Sequence, residues 1–105
     1  MIAAAETRRR LPNRRDHELL SFEHGGIYYT AGFSRFENGD LAEIFLNTRK
    51  YGTAVDVNAR DAAVAASLLL QHSCHVDTLR KALTRNSDGS ASGPLARALD
   101  LLGRP

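Results

Sequence analysis

The stretch GGIYYTAGFSRFENGDLAEIFLNT, Gly25 to Thr48, reads as two strands joined at Asn38-Gly39, and the rest of the chain is placed relative to this ribbon. Asparagine and glycine both tolerate the positive φ that a two-residue hairpin loop requires. Counting back from that loop predicts Phe36 opposite Leu41, Arg35 opposite Ala42, Ser34 opposite Glu43, Phe33 opposite Ile44, Gly32 opposite Phe45 and Ala31 opposite Leu46. Ile27, Tyr29, Ala31, Phe33, Ile44 and Leu46 then share one face, and Thr30, Ser34, Glu43 and Asn47 the other. That is the period of two expected of a sheet with one buried side. Upstream, HELLSFE (His17 to Glu23) partly alternates, and Gly25-Gly26 forms a second hairpin turn. It sets Phe22 opposite Tyr29 and Leu20 opposite Ala31, on the same buried face. The two turns agree, and they predict a three-stranded antiparallel meander over 17–23, 26–36 and 41–48.

Beyond the ribbon the period changes. Arg49 to Val55 is a connection containing Gly52, and Asp56 is expected as the N-cap of a helix over 57–73, with Asp61 adding negative charge near its positive end. This helix is alanine-rich at Ala62, Ala63, Ala65 and Ala66 and apolar nearly all round at Leu68, Leu69 and Leu70, so it is expected to be central, close to the sheet over Ala31 and Phe33. Ser73 to His75 breaks it, and Asp77 opens a second helix over 77–86. Asn86 to Ser92 is a loop on composition. Pro94, in a first helical turn where its missing N–H costs nothing, begins a third helix over 94–102. The fold class expected is therefore α+β: a three-stranded antiparallel meander packed on one face by about three helices.

A length of 105 residues suits one domain with one modest core, and 25% charged against 43% hydrophobic residues places the chain among globular rather than disordered sequences. The net charge of +2 is uneven: residues 1–15 carry Arg8, Arg9, Arg10, Arg14 and Arg15 against Glu6, so the remainder is slightly acidic. We read residues 1–15 as a flexible basic tail and 16–105 as the single α+β domain. The tail is either an arm for nucleic acid, acting by phosphate neutralisation, or a solvated start. No apolar run reaches the length of about 18 residues that spans a bilayer, and the N-terminus lacks the apolar stretch of a secretory signal. The single cysteine, Cys74, excludes an internal disulfide, and together these features point to the cytoplasm.

Tyr28, Thr30, Arg35, Phe36, Gly39, Glu43, Ile44 and Phe45, followed by Lys50-x-Gly52 and an alanine-rich helix, form a pattern that resembles the TSCPD domain. That domain stands at the C-terminal end of cobalamin-dependent ribonucleotide reductases and also occurs as short stand-alone proteins. The likeness covers about residues 13–102. The Thr-Ser-Cys-Pro-Asp motif that names the domain is absent, and the lone cysteine lies in His72-Ser73-Cys74-His75. The resemblance implies an accessory or regulatory module linked to deoxyribonucleotide synthesis, acting with a reductase or a nucleotide, with cobalamin entering only by association with a full-length reductase. Ribonucleoside-diphosphate reduction needs a thiyl radical on one cysteine and a further cysteine pair as reductant, so one cysteine does not support independent catalysis. The reading from a different class is a small nucleic-acid-associated module using the arginine-rich tail.

Arg49 and Lys50 beside Gly52, shortly before a helix N-terminus, are candidates to receive a phosphate or nucleotide through positive charge and backbone N–H groups. No Gly-x-x-x-x-Gly-Lys or Gly-x-Gly-x-x-Gly run accompanies them. His72, Cys74 and His75 offer metal-ligating atoms, but the other histidines, His17 and His24, are distant in sequence, so no metal site and no resident cofactor is assigned. No catalytic residue stands out. The uncovered sheet face is expected to gather Tyr28, Phe36, Leu41 and Phe45, together with Leu19, beside the space left by Gly32. Such a patch is expected to be buried by a second copy, as a homodimer, or by a partner protein.

Overall fold

A computed structural model of the chain describes residues 8–11 and 17–102. Three strands, β1 (Glu18–His24), β2 (Ile27–Arg35) and β3 (Leu41–Thr48), form an antiparallel sheet in the order β1-β2-β3. Three helices follow, α1 (Ala54–Gln71), α2 (Val76–Ala82) and α3 (Pro94–Leu102), and the fold is α+β.

The first hairpin is as expected. Gly25 and Gly26 take φ of 60° and 79°, and an unbroken register sets Phe22 opposite Tyr29 and Leu20 opposite Ala31. The second hairpin corrects the expected turn. Asn38 does not adopt positive φ, so a two-residue loop cannot close. Instead the Gly39 N–H donates to the Phe36 carbonyl (2.9 Å) and the Phe36 N–H to the Asp40 carbonyl (2.8 Å), which makes a loop of Glu37, Asn38 and Gly39, with Gly39 at φ 93°. The Asn38 side chain accepts the Asp40 N–H at 3.0 Å, which fixes that conformation. One extra loop residue shifts the register, so Arg35 pairs with Leu41. A β-bulge between there and Ser34↔Glu43 shifts it back, and the pairs from Ser34↔Glu43 to Ala31↔Leu46 are those expected. The pairs Phe36 with Leu41 and Arg35 with Ala42 do not form.

α1 begins earlier than expected because Thr53, not Asp56, is its N-cap. The Thr53 hydroxyl accepts the Asp56 N–H at 3.2 Å. Nor does α1 centre on β2 over Ala31 and Phe33. It lies along β3, turning Ala59, Ala63, Ala66 and Leu70 into the core with Tyr29, Phe33, Ile44 and Leu46. Side chains of α1 also serve the outer edge of β3. Asp56 Oδ1 accepts the Thr48 N–H (2.8 Å), the Ser67 hydroxyl accepts the Ile44 N–H (2.9 Å) and donates to the Ile44 carbonyl (3.0 Å), and Gln71 Nε2 donates to the Ala42 carbonyl (3.0 Å).

α2 ends four residues short of its expected limit, with Leu83 extended. Arg85 is drawn away to α3, where Nη2 binds Asp100 Oδ1 at 2.9 Å while also donating to the Arg80 carbonyl at 2.8 Å. Arg80 Nε reaches the same carboxylate at 3.1 Å. α3 closes the inner layer beside β1, contributing Leu95, Ala98 and Leu99 to the core. No helix among the described residues is long and apolar enough to cross a membrane.

If the β3 edge depends on the Ser67 hydroxyl, Ser67→Ala leaves the Ile44 N–H and carbonyl without their partner and destabilises the fold by about 1–3 kcal/mol. A lower urea midpoint at unchanged slope is the expected reading; an unchanged midpoint would show that solvent serves the edge equally well.

Candidate functional site

The connection between β3 and α1 carries the residues expected to hold a phosphate. Arg49 and Lys50 line an open cleft of about 370 Å³ with Ile27, Tyr28, Thr53 and Val55, and the Arg49 guanidinium lies 5.0 Å from the centre of the Tyr28 ring. The structure thus brings Arg49, Lys50 and Tyr28 together, while Gly52 is not part of the cleft wall. The Gly52 N–H donates to Asp56 Oδ2 at 3.1 Å, and Arg60 Nε reaches the same oxygen at 2.9 Å. A carboxylate of the chain itself therefore takes the amide that a phosphate would need. The hydrogen bond from the Thr48 amide, joined by Arg60 and Gly52, lowers the Asp56 pKa from 3.8 to about 2 against the opposing effect of burial.

A second constellation lies on the outer face of the sheet. Leu19, Tyr28 and Phe45 are 76%, 54% and 49% exposed. Gly32 lies between Leu19 and Phe45. A Cβ built there would stand 3.4 Å from Leu19 Cδ2 and 3.8 Å from Phe45 Cδ2, so its absence lets both side chains lie close over the strand. Phe36 and Leu41, expected in this patch, are not in it: they are 6% and 7% exposed. The register shift at the turn sets Leu41 opposite Arg35, on the inner face, where it joins the core. Phe36 is covered by Arg9, whose guanidinium sits 3.6 Å from the ring centre and 3.6 Å from Asp40. Ser34 and Glu43, expected to keep this face polar, are buried as a cross-strand pair in which the Ser34 hydroxyl donates to Glu43 Oε1 at 2.7 Å. His17 Nε2 lies 3.8 Å from that oxygen, and its ring stacks on Phe45 with centroids 5.9 Å apart.

The engagement of the N-terminal arginines was not visible in the sequence. Arg8 Nε donates to Gln71 Oε1 at 2.5 Å and the Arg9 N–H to the Gln71 carbonyl at 2.6 Å, so these two residues are docked on the domain. The rest of the expected tail, apart from Arg10 and Leu11, lies outside the described residues. The potential metal ligands do not converge. His75 caps α2 by accepting the Asp77 N–H on Nδ1, Cys74 packs half-buried against the core, and His24 donates from Nε2 to the Ser92 carbonyl at 3.0 Å. Among the described residues no group of three or more His, Cys, Asp or Glu is arranged to hold a metal ion.

Comparison with protein families, curated proteins and solved structures finds no match for this chain.

The lowered Asp56 pKa has a definite pH signature. A carboxylate with a depressed folded-state pKa stabilises the fold above its unfolded value near 3.8, and that contribution is lost as pH falls from there toward 2. Asp56→Asn should lower the melting temperature at neutral pH and flatten its dependence on pH between about 4 and 2 relative to the parent. Parallel curves for the two proteins would mean that Asp56 does not carry the acid sensitivity.

Proposed function

We propose that this chain is a non-catalytic accessory module, akin to the TSCPD domain of ribonucleotide reductases, that acts by binding a protein partner on the outer face of its sheet. The observation that carries the reading is the pair of exposed side chains Leu19 and Phe45 meeting over Gly32 on the outer face, with exposed Tyr28 four residues, about 13 Å, back along β2 on the same face. The TSCPD-like pattern from Tyr28 to Gly52 supplies the class of partner, a ribonucleotide reductase, and the link to deoxyribonucleotide synthesis in the cytoplasm. One cysteine supports assistance rather than turnover. Cobalamin belongs to the reductase in this reading. The docking of Arg8 and Arg9 weighs against the nucleic-acid reading, because two of the five tail arginines are already bound to Gln71, Asp40 and Phe36.

Binding to a cobalamin-dependent ribonucleotide reductase from the same cells, measured by calorimetry, should weaken by about tenfold or more with Phe45→Glu. Absence of binding by the parent would remove the proposal. Purified protein given cobalamin, a dithiol and a ribonucleotide should form no deoxyribonucleotide, and turnover would overturn the accessory reading.

The cleft of Tyr28, Arg49 and Lys50 favours one second reading, nucleotide binding, since a planar ring and two cations meet there. In that case a nucleotide raises the melting temperature and Lys50→Ala or Arg49→Ala abolishes the rise with little change in the unliganded protein. A parent protein that no nucleotide stabilises ends that reading.

A further inference from the structure

The two edges of the sheet are treated differently. β3 carries a bulge, and four of its outward groups, the Thr48 and Ile44 amides and the Ile44 and Ala42 carbonyls, are answered by Asp56, Ser67 and Gln71. β1 has seven consecutive pairs with β2, no bulge, no proline and no lysine. The two-residue loop at Gly25-Gly26 makes His24 and Ile27 a hydrogen-bonded pair, so the alternation of an antiparallel ladder turns the N–H and carbonyl groups of Leu19, Ser21 and Glu23 away from β2. Those three residues are exposed, and among the described residues nothing hydrogen-bonds to their outward groups. An edge of this kind is a template for another strand.

We propose that a second copy of this chain occupies that edge, β1 against β1 about a two-fold axis at Ser21, which joins the two sheets into one of six strands. The sequence of β1 is self-complementary in this register. Ser21 meets Ser21 of the second copy, Leu19 meets Glu23, and all three outward positions on each strand are hydrogen-bonded. On the inner face Leu20 lies opposite Phe22, both half-buried in the single chain, and Glu18 lies opposite His24. A slip of one residue would set Glu18 against Glu23 and turn the apolar face outward, and a slip of two would leave only two of the three outward positions of each β1 paired with β1 of the other copy. On the outer face a row then runs from Phe45 over Gly32 and Leu19 of one copy to Glu23 and Tyr28 of the other, following the pairs Gly32↔Phe45, Leu19↔Gly32 and Glu23↔Tyr28. Leu19, 76% exposed in the single chain, moves from the rim of the sheet to its middle. The edge pairing stands on hydrogen-bond direction and register, independently of any partner on the outer face.

Sedimentation at about 100 μM distinguishes the outcomes. The parent is expected at twice the 11.5 kDa chain mass. Ser21→Pro is expected at the chain mass with unchanged far-ultraviolet dichroism, because proline is tolerated on an edge strand where its nitrogen faces solvent. As a measurement that does not depend on that variant folding, Ser21→Cys in a Cys74→Ser background should oxidise in air to a disulfide dimer. The two-fold sets the Cα atoms about 5.5 Å apart, within disulfide reach. A monomeric parent, a Ser21→Pro protein that remains dimeric, or a Ser21→Cys protein that does not cross-link would each overturn the proposal. A dimer broken by Phe45→Glu but not by Ser21→Pro would place the contact on the sheet face and would overturn it too. Loss of reductase binding with the dimer intact would instead remove only the accessory-module reading.

Discussion

A helix laid along the edge of a sheet meets that edge's unpaired amides and carbonyls, and α1 answers four of them with Asp56, Ser67 and Gln71. Two periodicities have to match for this to work. From Asp56 to Gln71 the helix advances roughly 22 Å and returns close to the same side, while β3 runs back from Thr48 to Ala42 over roughly 20 Å. Thus one polar stripe of α1 meets Thr48, Ile44 and Ala42 along the outward side of β3, and the neighbouring stripe of Ala59, Ala63, Ala66 and Leu70 enters the core. Alanine on that stripe permits the approach that short side-chain hydrogen bonds require. Without the polar stripe the small apolar residues would have nothing to hold the helix in register.

The strands and most of their pairing were legible because the period of two is enforced by burial on one side, and two turns had to agree with it. The Gly25-Gly26 loop could be read directly, since glycine pays no steric penalty at either position. At Asn38-Gly39 the dipeptide fits a two-residue or a three-residue loop, and its identity does not choose between them. The wrong choice moved Leu41 to the other face, yet the bulge before Glu43 cancelled it for the remainder of β3. A local misreading therefore left the central register intact. The start of α1 was missed for a related reason: Thr53 and Asp56 are both good capping residues three apart, and only the position of Thr48 shows that the aspartate is engaged elsewhere. The end of α2 depends on Asp100, which is distant in sequence.

Of the surface features, Tyr28 and Phe45 could be assigned to the outer face from parity alone, whereas Phe36 could not. It lies at the turn, where parity lapses, and its cover comes from Arg9, a residue with no periodic signal. Arginine clusters near a terminus read as solvated charge; here the docking of Arg8 and Arg9 follows from the end of α1, whose Gln71 offers both a side-chain amide and a free carbonyl. The burial of Glu43 was equally hidden, although its position opposite Ser34 was not.

Asp56 unites the fold and the candidate cleft. Helix N-termini attract anions because their first amides lack partners and the peptide dipoles align. In this chain that attraction is answered internally: one carboxylate gathers the amides of Thr48 and Gly52 and the guanidinium of Arg60, and so ties the end of β3, the connecting loop and the first turns of α1 to a single point. The loop held in this way presents Arg49 and Lys50 outward beside Tyr28, with their charges uncommitted to the Asp56 carboxylate. Any anionic group that reaches the cleft consequently meets side chains rather than a helix terminus. Its recognition would rest on charge and ring stacking, which tolerate many ligands, and not on the directional amides that discriminate among phosphates. The sheet face is built differently, for there the backbone itself sets the spacing of the exposed Leu19, Tyr28 and Phe45.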